Sequence, residues 1–511
     1  MPLSDTTSEH WADVAAGEIL RREVKRPVVC TGISPSGPFH VGHLREIITG
    51  DAIMRALRDR NSPARLVFVV DNADPLRKVY PFLDASVYEP LVGRPLHELP
   101  APADGGAYDE HFLSPFLSAL TRLRVDAEVV RSSELYGSGR MDDVVFTALE
   151  RRDEVARILS EVTGKETPPE WSPWNPRCPS CGRIDRGAVT GFDRAEGTIT
   201  SRCEACGQVA TQPPSAGGKL TWRVDWPARW TVLGVTAEPF GKDHASRGGS
   251  YDSGIRLARE VFGCEPPHPT VYEWISLKGR GDMSSSKGNV LTIAELLDVV
   301  PPEVLRYLVL KSKPARSISF DPGDALLRLV DEVDDASARG RDDRSLELSR
   351  AAGFQAIGVP FKHVVLVAQI AGFDVDHIAR ILDRGGYPNV DRNALAERVE
   401  MARAWLAKFA PEDAKIEVPD EIPEAAGSLD ESERAFLRKL ADRLPELEDA
   451  EEIHETIRRL AAEEGGPGAR LGFRAIYRAV LGRDAGPRAG AFLALLGPRR
   501  MAERLRRAAD S

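Results

Sequence analysis

The sequence predicts an α/β protein: a split Rossmann-like, parallel-sheet domain with an inserted zinc module, followed by an all-helical C-terminal domain. Three observations support this fold class. Apolar runs alternate with helix-spaced segments near the N-terminus, a rhythm typical of βαβ units. A Pro-, Trp- and Cys-rich stretch from Thr167 to about Gly218 interrupts that rhythm. Beyond about Gly340, helix spacing persists while strand signals are few.

The N-terminal elements follow from their apolar patterns. Trp11–Val24 has an apolar stripe at helical spacing, so we expect an amphipathic helix packed on the first domain. An apolar strand, a helix and a second strand follow, and a third strand continues the sheet; they cover residues 27–32, 44–59, 64–71 and 127–131. Ligands of such sheets bind at the carboxyl ends of the strands.

After the interruption the sheet domain resumes at Leu220. We predict helices over 225–233 and 249–262, a strand over 271–277, and helices over 293–300 and 302–310. The tail shows helix spacing over 363–371, 376–382, 433–444 and 453–462. The C-terminal third is therefore predicted to be entirely helical.

The length of 511 residues exceeds one ordinary core and suggests three or four domains of roughly 150 residues. We predict the first half of the catalytic domain at 1–150, an inserted connective module at 151–218 and the second half at 219–290. A helical junction domain at 291–345 and an anticodon-type helical domain at 346–511 complete the division.

Composition restricts the class of protein. A hydrophobic content of 42% with 29% charged residues fits a globular chain. Met1–Val14 has no signal-like pattern and no apolar run reaches the 18 or so residues of a membrane span, so we expect a cytoplasmic protein.

The net charge of −10 argues against indiscriminate nucleic-acid binding. Between Arg470 and Arg507, however, ten arginines face only Asp484 and Glu503. A directed polyanion-binding surface is one interpretation of this segment, but on the tail alone we favour a solvated helical face with no specific partner.

The segment Pro35–His43 is the strongest chemical motif. It follows the first strand and opens the first long helix, where unpaired amides and the helix dipole favour anions. His40 and His43 can contact a phosphate chain there, and Gly42 lets a flat group approach the backbone. Two ordinary histidines at a helix start are the alternative.

A second polar loop, Met283–Asn289, carries one cation, Lys287. Such a loop can close over a polyphosphate, so the two segments together predict ATP activation. Without the histidine motif, Lys287 would be interpreted as a surface lysine in a Ser/Gly loop.

Four cysteines predict a structural zinc site. Two Cys-x-x-Cys pairs, separated by 21 residues, can surround a zinc ion tetrahedrally, with Gly182 and Gly207 supplying the turns; the ligands are Cys178, Cys181, Cys203 and Cys206. Disulfides or unmetallated thiols are the alternatives, which a cytoplasmic chain disfavours. Cys30 and Cys264 are predicted to be packing residues.

These motifs resemble the two signatures of class I aminoacyl-tRNA synthetases, His40–His43 and Met283–Lys287. Further stretches resemble the class I type of lysyl-tRNA synthetase over nearly the whole chain: 31–37, 39–46, 71–79 and 222–230. The sequence departs from the class pattern at Asp282, where lysine often begins the second signature, and at Ser285, another common lysine position. Lys287 must then carry that loop's charge.

The resemblance implies an ATP-dependent lysine–tRNA ligase that forms lysyl-adenylate and acylates the 3′-terminal adenosine of tRNA(Lys). It implies catalytic roles for His40, His43 and Lys287, with magnesium on the phosphates. The implied ATP contacts are Pro35, Gly42, Asp243, His244, Met283, Ser284, Ser285, Ser286 and Lys287. A turn before a helix is the plainer interpretation of Asp243 and His244.

A lysine ligase requires a carboxylate for the desolvated ammonium. Glu46 is the first choice because it lies one helical turn after His43; Asp71 and Asp74 are rivals. Trp222 could pack along the substrate's methylenes, and Thr31 and Gly32 could bind the amino-acid backbone. Helix-spaced core is the alternative for Trp222, Trp226 and Trp230, and we expect it to hold for at least two of them.

The segment 471–496 resembles the anticodon-reading tail of this family, which would use stacking and arginine contacts. Three rivals stay open at this point: another class I synthetase such as one for glutamate, which would need an arginine facing the side chain; a small-molecule adenylyltransferase; and a non-catalytic tRNA-binding paralogue. The sequence leaves the oligomeric state open, with a monomer favoured.

Overall fold

The structure is a computed structural model that describes residues 9–103, 105–278, 281–282, 290–338, 343–351, 353–447, 449–463 and 465–511. The predicted loop Met283–Asn289, including Lys287, lies outside the described residues. The chain forms two compact units. The first comprises residues 1–320 and 341–354, and the second comprises residues 321–340 and 355–511. The five-part division expected from the sequence stays a prediction.

The strands, in chain order, are β1 Val28–Ile33, β2 Arg65–Val70, β3 Ala127–Arg131, β4 Trp174–Pro176, β5 Gly187–Asp193, β6 Thr198–Cys203, β7 Val209–Gln212, β8 Gly218–Leu220, β9 Ala237–Gly241, β10 His268–Tyr272, β11 Ile275–Leu277, β12 Gly281–Asp282 and β13 Ile318–Phe320.

The helices of the first unit are α1 Trp11–Leu20, α2 Leu44–Asp59, α3 Ala85–Tyr88, α4 Tyr108–Arg122, α5 Ser132–Gly137, α6 Asp142–Glu150, α7 Arg152–Thr163, α8 Trp222–Leu233, α9 Ser250–Leu257, α10 Ile293–Leu297, α11 Pro302–Leu310 and, after α12, α13 Arg344–Ser349. Those of the second unit are α12 Asp324–Ala338, α14 Phe361–Ile370, α15 Val375–Arg384, α16 Arg392–Lys408, α17 Glu431–Arg443, α18 Ala450–Ala462, α19 Ala469–Leu481, α20 Ala489–Leu496 and α21 Pro498–Asp510.

The first unit is built on a five-stranded parallel sheet in the order β10-β9-β1-β2-β3. The chain leaves β1 toward β2 and β3 on one side and returns to β9 and β10 on the other. The topological switch point therefore lies at β1 and β9, where open α/β sheets bind their ligands. The Rossmann-like fold class is confirmed, and so are the predicted strands β1, β2 and β3.

Close packing of α2 on the sheet depends on a glycine. A Cβ atom at Gly50 would lie 2.7 Å from Thr31 Cγ2 and 3.2 Å from Leu66 Cδ1. Only a residue without a side chain lets the helix approach β1 and β2 this closely. The helix itself covers the predicted range without change.

Two predicted elements were wrong in detail. The single strand expected over 271–277 is two strands, because β10 pairs with β9 as far as Tyr272 whereas β11 pairs with β13 in a separate three-stranded sheet. The helix expected over 249–262 is α9 followed by a π-helical turn, Ala258–Phe262, which ends at Gly263 in the left-handed conformation. Hydrophobic spacing does not distinguish these cases.

The inserted module is a small β structure between α7 and α8. Strands β4 and β8 form an antiparallel pair at its base, and β5, β6 and β7 form an antiparallel sheet beyond it. The pair β4–β8 returns the chain to the sheet domain at Leu220, which is where the sequence predicted the domain to resume.

The second unit has helices as its only regular α or β elements among the residues that the structure describes. Its core joins α17 to α21 through Phe436, Ile457, Ile476, Phe492 and Leu505. The all-helical prediction for the C-terminal third is confirmed. Within the described ranges, no helix combines the length and apolar character needed to cross a membrane.

Candidate active site

A pocket of about 430 Å³ opens at the carboxyl ends of β1, β2, β9 and β10, at the switch point of the sheet. Five carboxylates, two guanidinium groups and, besides His244, six aromatic side chains line it. The lining includes Gly32, Glu46, Asp71, Asp74, Arg77, Trp222, Trp226, Arg229, Glu238, Asp243, His244, Tyr272 and Trp274. The surplus of carboxylates favours a cationic ligand.

The histidine motif forms the first turn of the helix that begins the site. The short 3₁₀ turn Val41–His43 runs into α2, and His40 is its N-cap. The Gly42 N–H donates to His40 Nδ1 at 3.1 Å, and the His40 N–H donates to His43 Nδ1 at 3.0 Å. This reciprocal capping fixes both rings at the helix start.

The same hydrogen bonds fix the protonation state of the rings. A nitrogen that accepts from a backbone N–H carries no proton, so each neutral imidazole bears its proton on Nε2. Burial lowers the pKa of His40 to about 4, and burial together with the neighbouring His40 lowers the pKa of His43 well below 6.5. Near pH 7 both rings are therefore neutral donors.

A smaller cavity of about 240 Å³ adjoins these rings, lined by His40, Gly42, His43, Glu46, Tyr272, Trp274 and Ile275. It shares Glu46, Tyr272 and Trp274 with the main pocket. The phosphate-type motif and the acidic pocket thus form one continuous site.

The residues after the second predicted signature are close to the first. The Val41 N–H donates to Leu291 O at 3.0 Å, and His40 and Thr292 form a bridge. Met283, Ser284, Ser285, Ser286 and Lys287 themselves lie outside the described residues, so their predicted roles stay predictions.

Glu46 lies where the two cavities meet. Its Oε1 accepts from the Gly32 N–H at 2.6 Å and its Oε2 accepts from the Tyr272 hydroxyl at 2.7 Å. Burial, with the nearby charges of Glu238 and Asp243, raises the pKa of Glu46 to about 7. No ammonium or guanidinium of the described residues lies within ion-pair distance of this carboxylate.

Asp71 and Asp74, by contrast, face cations of the protein itself. The Lys219 ammonium lies 2.5 Å from Asp71 Oδ1 and also contacts Asp74. The Arg229 guanidinium lies 3.4 Å from Asp71 and 3.1 Å from Asp225. Burial opposes ionisation of Asp71, but Lys219 and Arg229 outweigh it and lower its pKa to about 2.

Glu238, on β9, is a buried carboxylate of the pocket lining. Its oxygens accept from the indole N–H of Trp226 at 3.0 Å and of Trp230 at 2.6 Å. Burial raises the pKa of Glu238 to about 7. Like Glu46, it has no ion-pair partner among the described residues.

Trp222 begins a ladder of three indoles on α8. It stacks on Trp226 with ring centroids 5.3 Å apart and planes 16° from parallel, and Arg229 lies 5.5 Å from its centroid. Trp226 and Trp230 are 4% and 2% exposed, which confirms core roles for two of the three. Trp222 is more exposed and lines the pocket.

Of the other predicted site residues, some line a cavity and some do not. Gly42, Asp243 and His244 line one of the two cavities, and the His244 ring lies 5.7 Å from Trp222. The side chain of Thr31 is fully buried and lies toward Gly50, on the opposite side of β1 from Gly32. Pro35 is buried in the loop between β1 and the histidines and lines neither cavity.

The four predicted zinc ligands meet in the inserted module. Their sulfur atoms all lie within 4.8 Å of one another, with Cys178 and Cys206 at 3.6 Å and Cys181 and Cys203 at 3.7 Å. Four Zn–S bonds of about 2.3 Å in tetrahedral geometry require sulfur separations of roughly 3.8 Å. The four cysteines therefore fit a zinc ion.

The backbone makes the same turn at both cysteine pairs. The Gly182 N–H donates to Cys178 O, and the Gly207 N–H donates to Cys203 O. Both glycines have a positive φ, 75° and 77°. The predicted turn role of these glycines is confirmed, since a side chain is strained in that conformation.

The sequence is similar to those of known proteins. Residues 9–352 match the family model described as tRNA synthetases class I (K). The lysine–tRNA ligase of Methanosarcina barkeri is 45% identical over 535 residues, covering 99% of each chain. That of Archaeoglobus fulgidus is 46% identical over 502 residues, covering 98% of this chain and all of the relative.

The chain belongs to the class I lysine–tRNA ligase family. A second match, to an anticodon-binding domain, spans residues 393–509 and lies within the helical second unit. The family assignment inferred from the sequence motifs is confirmed, and with it an aminoacyl-tRNA synthetase activity.

The sequence motifs of this class I synthetase did not predict Arg229, Glu238, Tyr272 and Trp274 as pocket residues. They also did not predict Lys219 as the buried cation that contacts Asp71 and Asp74. One signal was available for Glu238, a charged residue inside the buried strand β9. Lys219 gave no signal, because its partner Asp71 is 148 residues away in the chain.

Proposed function

We propose that this class I synthetase activates L-lysine with ATP in the pocket at the switch point and then acylates the terminal adenosine of tRNA(Lys). One observation carries the choice of amino acid: half-buried Glu46 and buried Glu238 line the pocket with no ion-pair partner among the described residues. A buried charge of this kind is costly until a ligand of opposite charge arrives.

The ammonium of lysine binds between Glu46 and Glu238 in this proposal, and the Trp222 ring, which lines the pocket, packs along its methylenes. The carboxyl end of β1, at Gly32, then lies beside the substrate's backbone. Asp71 stays a pocket residue whose charge the protein's own cations already compensate.

The attack of lysine's carboxylate on the α-phosphate places new negative charge on the transferring group. The Nε2–H groups of His40 and His43 would donate to it as neutral imidazoles, at the start of the helix that holds them. Such fixed donors act without reorganisation when the charge forms. Asp243 and His244 would contact the ribose and adenine.

Lys287 would hold the leaving pyrophosphate, with magnesium on the phosphate oxygens. In the sequence it precedes by four positions Leu291, whose carbonyl accepts from the Val41 N–H in the first signature. This connectivity supports a shared role for the two signatures.

A glutamate ligase would need a free cation facing the side chain. Arg229 does line the pocket, but Asp71 and Asp225 are at 3.4 and 3.1 Å from its guanidinium. The remaining uncompensated charge is negative, which favours lysine over glutamate. The separate adenylyltransferase alternative is disfavoured by the anticodon-binding match.

The helical second unit would contact the tRNA anticodon, and the four cysteines would hold one structural zinc ion, since four protein ligands leave no place for substrate. Metal analysis of the purified chain should find about one zinc per chain. A Cys181→Ser variant should lose it. The cytoplasmic location and the monomeric state stay predictions from the sequence.

Amino-acid-dependent exchange of pyrophosphate into ATP, measured with a panel of all amino acids, tests the proposed activity. We expect exchange with lysine and none with glutamate. Subsequent charging of tRNA(Lys) tests the second step. Exchange that responds to glutamate and not to lysine would overturn the proposal.

A further inference from the structure

Lys219 is a buried lysine whose ammonium contacts the wall of the amino-acid pocket. It lies in β8, it is 3% exposed, and its ammonium contacts Asp71 and Asp74 and lies 3.8 Å from Asp225. A lysine in such a place is costly unless carboxylates surround it. Here three do.

The group that Lys219 presents to these carboxylates is the same ammonium that a lysine substrate carries. Asp71 and Asp74 both line the pocket, at the carboxyl end of β2. Without Lys219, Asp74 would keep only Arg77, 3.7 Å away and largely exposed. The pair would then offer a second acidic site to the substrate.

The two acidic sites in the pocket differ in whether a cation of the protein lies within ion-pair distance. Lys219 and Arg229 place two cations against Asp71, Asp74 and Asp225, while Glu46 and Glu238 have hydrogen-bond donors but no described cation within ion-pair distance. The attraction for an incoming ammonium is therefore left at Glu46 and Glu238.

We propose that Lys219 is a positioning residue that occupies the Asp71–Asp74 site with the protein's own ammonium and so directs the substrate's ammonium to Glu46 and Glu238. The proposal rests on the proposed function, in which lysine is the substrate. It gives the inserted module a part in amino-acid selection, because that module supplies Lys219.

The inserted module is connected both to Lys219 and to the segment that contacts Asp74. Asn175 of β4 pairs with Lys219, three residues before Cys178. Arg177 forms two hydrogen bonds with the Glu98 carboxylate, at 2.5 and 2.8 Å. The segment that contains Glu98 returns to the pocket, where the Leu96 N–H donates to Asp74 O at 2.9 Å. Lys219 and its partner Asp74 are thus fixed to the same module.

Lysine-dependent pyrophosphate exchange by the full chain provides the test. In Lys219→Met we expect kcat and the apparent KM for lysine to fall together, on the order of 30-fold, because lysine held non-productively at the two freed carboxylates lowers both constants by the same factor. The KM for ATP should change by less than about twofold, because the His40 and His43 cavity is untouched. Lys165→Met, at an exposed lysine, is the matched control.

A charge-removing double variant separates positioning from packing. In Lys219→Met with Asp74→Asn, a carboxylate is removed together with its cation, so we expect kcat and the KM for lysine to return to within about fivefold of wild type. If the single variant does not fold, the double variant alone still tests this expectation. Melting temperatures of all variants report on the fold.

Two results would overturn the inference: a kcat and a KM for lysine that do not fall together in folded Lys219→Met, or a double variant whose kcat for lysine-dependent exchange is as low as that of the single one. Either would leave the proposed function intact, provided that the wild-type chain exchanges pyrophosphate with lysine. Absence of exchange in the wild type would instead reject the proposed function.

Discussion

The two acidic walls of the amino-acid pocket differ in what neutralises them. On one wall, Asp71 and Asp74 are paired with Lys219, and Asp71 also with Arg229. On the other, Glu46 and Glu238 have only hydrogen-bond donors, a hydroxyl, an amide and two indoles. Lys219 and Arg229 hold the pKa of Asp71 at about 2, while burial and the neighbouring Asp71 raise the pKa of Asp74. The pKa of Glu46 and of Glu238 is about 7.

This difference teaches that counting carboxylates in a pocket does not identify a cation site. A carboxylate that the protein has already paired contributes to rigidity, because its charge has no further partner to attract. A buried carboxylate that lacks a cation stores an unfavourable energy, which a cationic ligand can relieve on binding.

Glu46→Gln is expected to have the largest effect, because it removes a carboxylate that has no cation among the described residues to pair with. Loss of this charge should lower kcat/KM for lysine by about 100-fold or more, because truncating one partner of a buried charge pair costs about 2–5 kcal/mol. The KM for ATP should stay within about threefold. Exchange kinetics with each substrate varied in turn measure both, and equal losses for the two substrates would reject the assignment.

A smaller effect is expected from Glu238→Gln. The amide retains an acceptor for one indole but presents an NH₂ group to the other, so both the charge and one hydrogen bond are lost. We expect kcat/KM for lysine to fall by roughly 10-fold to 100-fold. Trp226 and Trp230 fluorescence would show whether the indoles keep their surroundings. An unaffected kcat/KM would remove Glu238 from the ammonium site.

The smallest and most specific effect is proton release. The free pocket holds protons on Glu46 and Glu238 below their pKa of about 7, and a bound ammonium favours the ionised forms. Lysine binding should therefore release protons near pH 7, and lysine affinity should fall as the pH drops from 8 to 6. Titration calorimetry in buffers of different ionisation enthalpy measures the release.

The same titration in Lys219→Arg would sharpen the comparison, because that variant keeps a cation on the Asp71 wall. Proton release there should match the wild type. A binding reaction with no proton release in either protein would show that Glu46 and Glu238 do not receive the ammonium.

Much of the fold followed from local signals. The helix over Leu44–Asp59 and the strand over Ala127–Arg131 have the predicted bounds, and the cysteine spacing predicted the sulfur cluster. Each of these depends on residues near one another in the chain. The hydrophobic spacing did not predict α4, Tyr108–Arg122, which contains a proline at position 115. Pro115 obscures its helical pattern.

The candidate site was predictable only in part. Glu46 was found because it shares a helix face with His43, and Asp71 because it follows a strand end. The difference in pKa between Glu46 and Asp71 could not be predicted from the sequence. It depends on contacts with Lys219 and Tyr272, which come from distant strands. No local pattern indicates which carboxylate a distant ammonium will neutralise.

The sequence by itself determined the family, the parallel sheet, the cysteine cluster and the histidine turn, because each depends on short-range spacing and backbone preference. Only the tertiary structure decided the charge state of the pocket. The pKa of a buried carboxylate is set by desolvation and by cations within a few ångströms. Those neighbours are brought together by the packing of strands far apart in the chain.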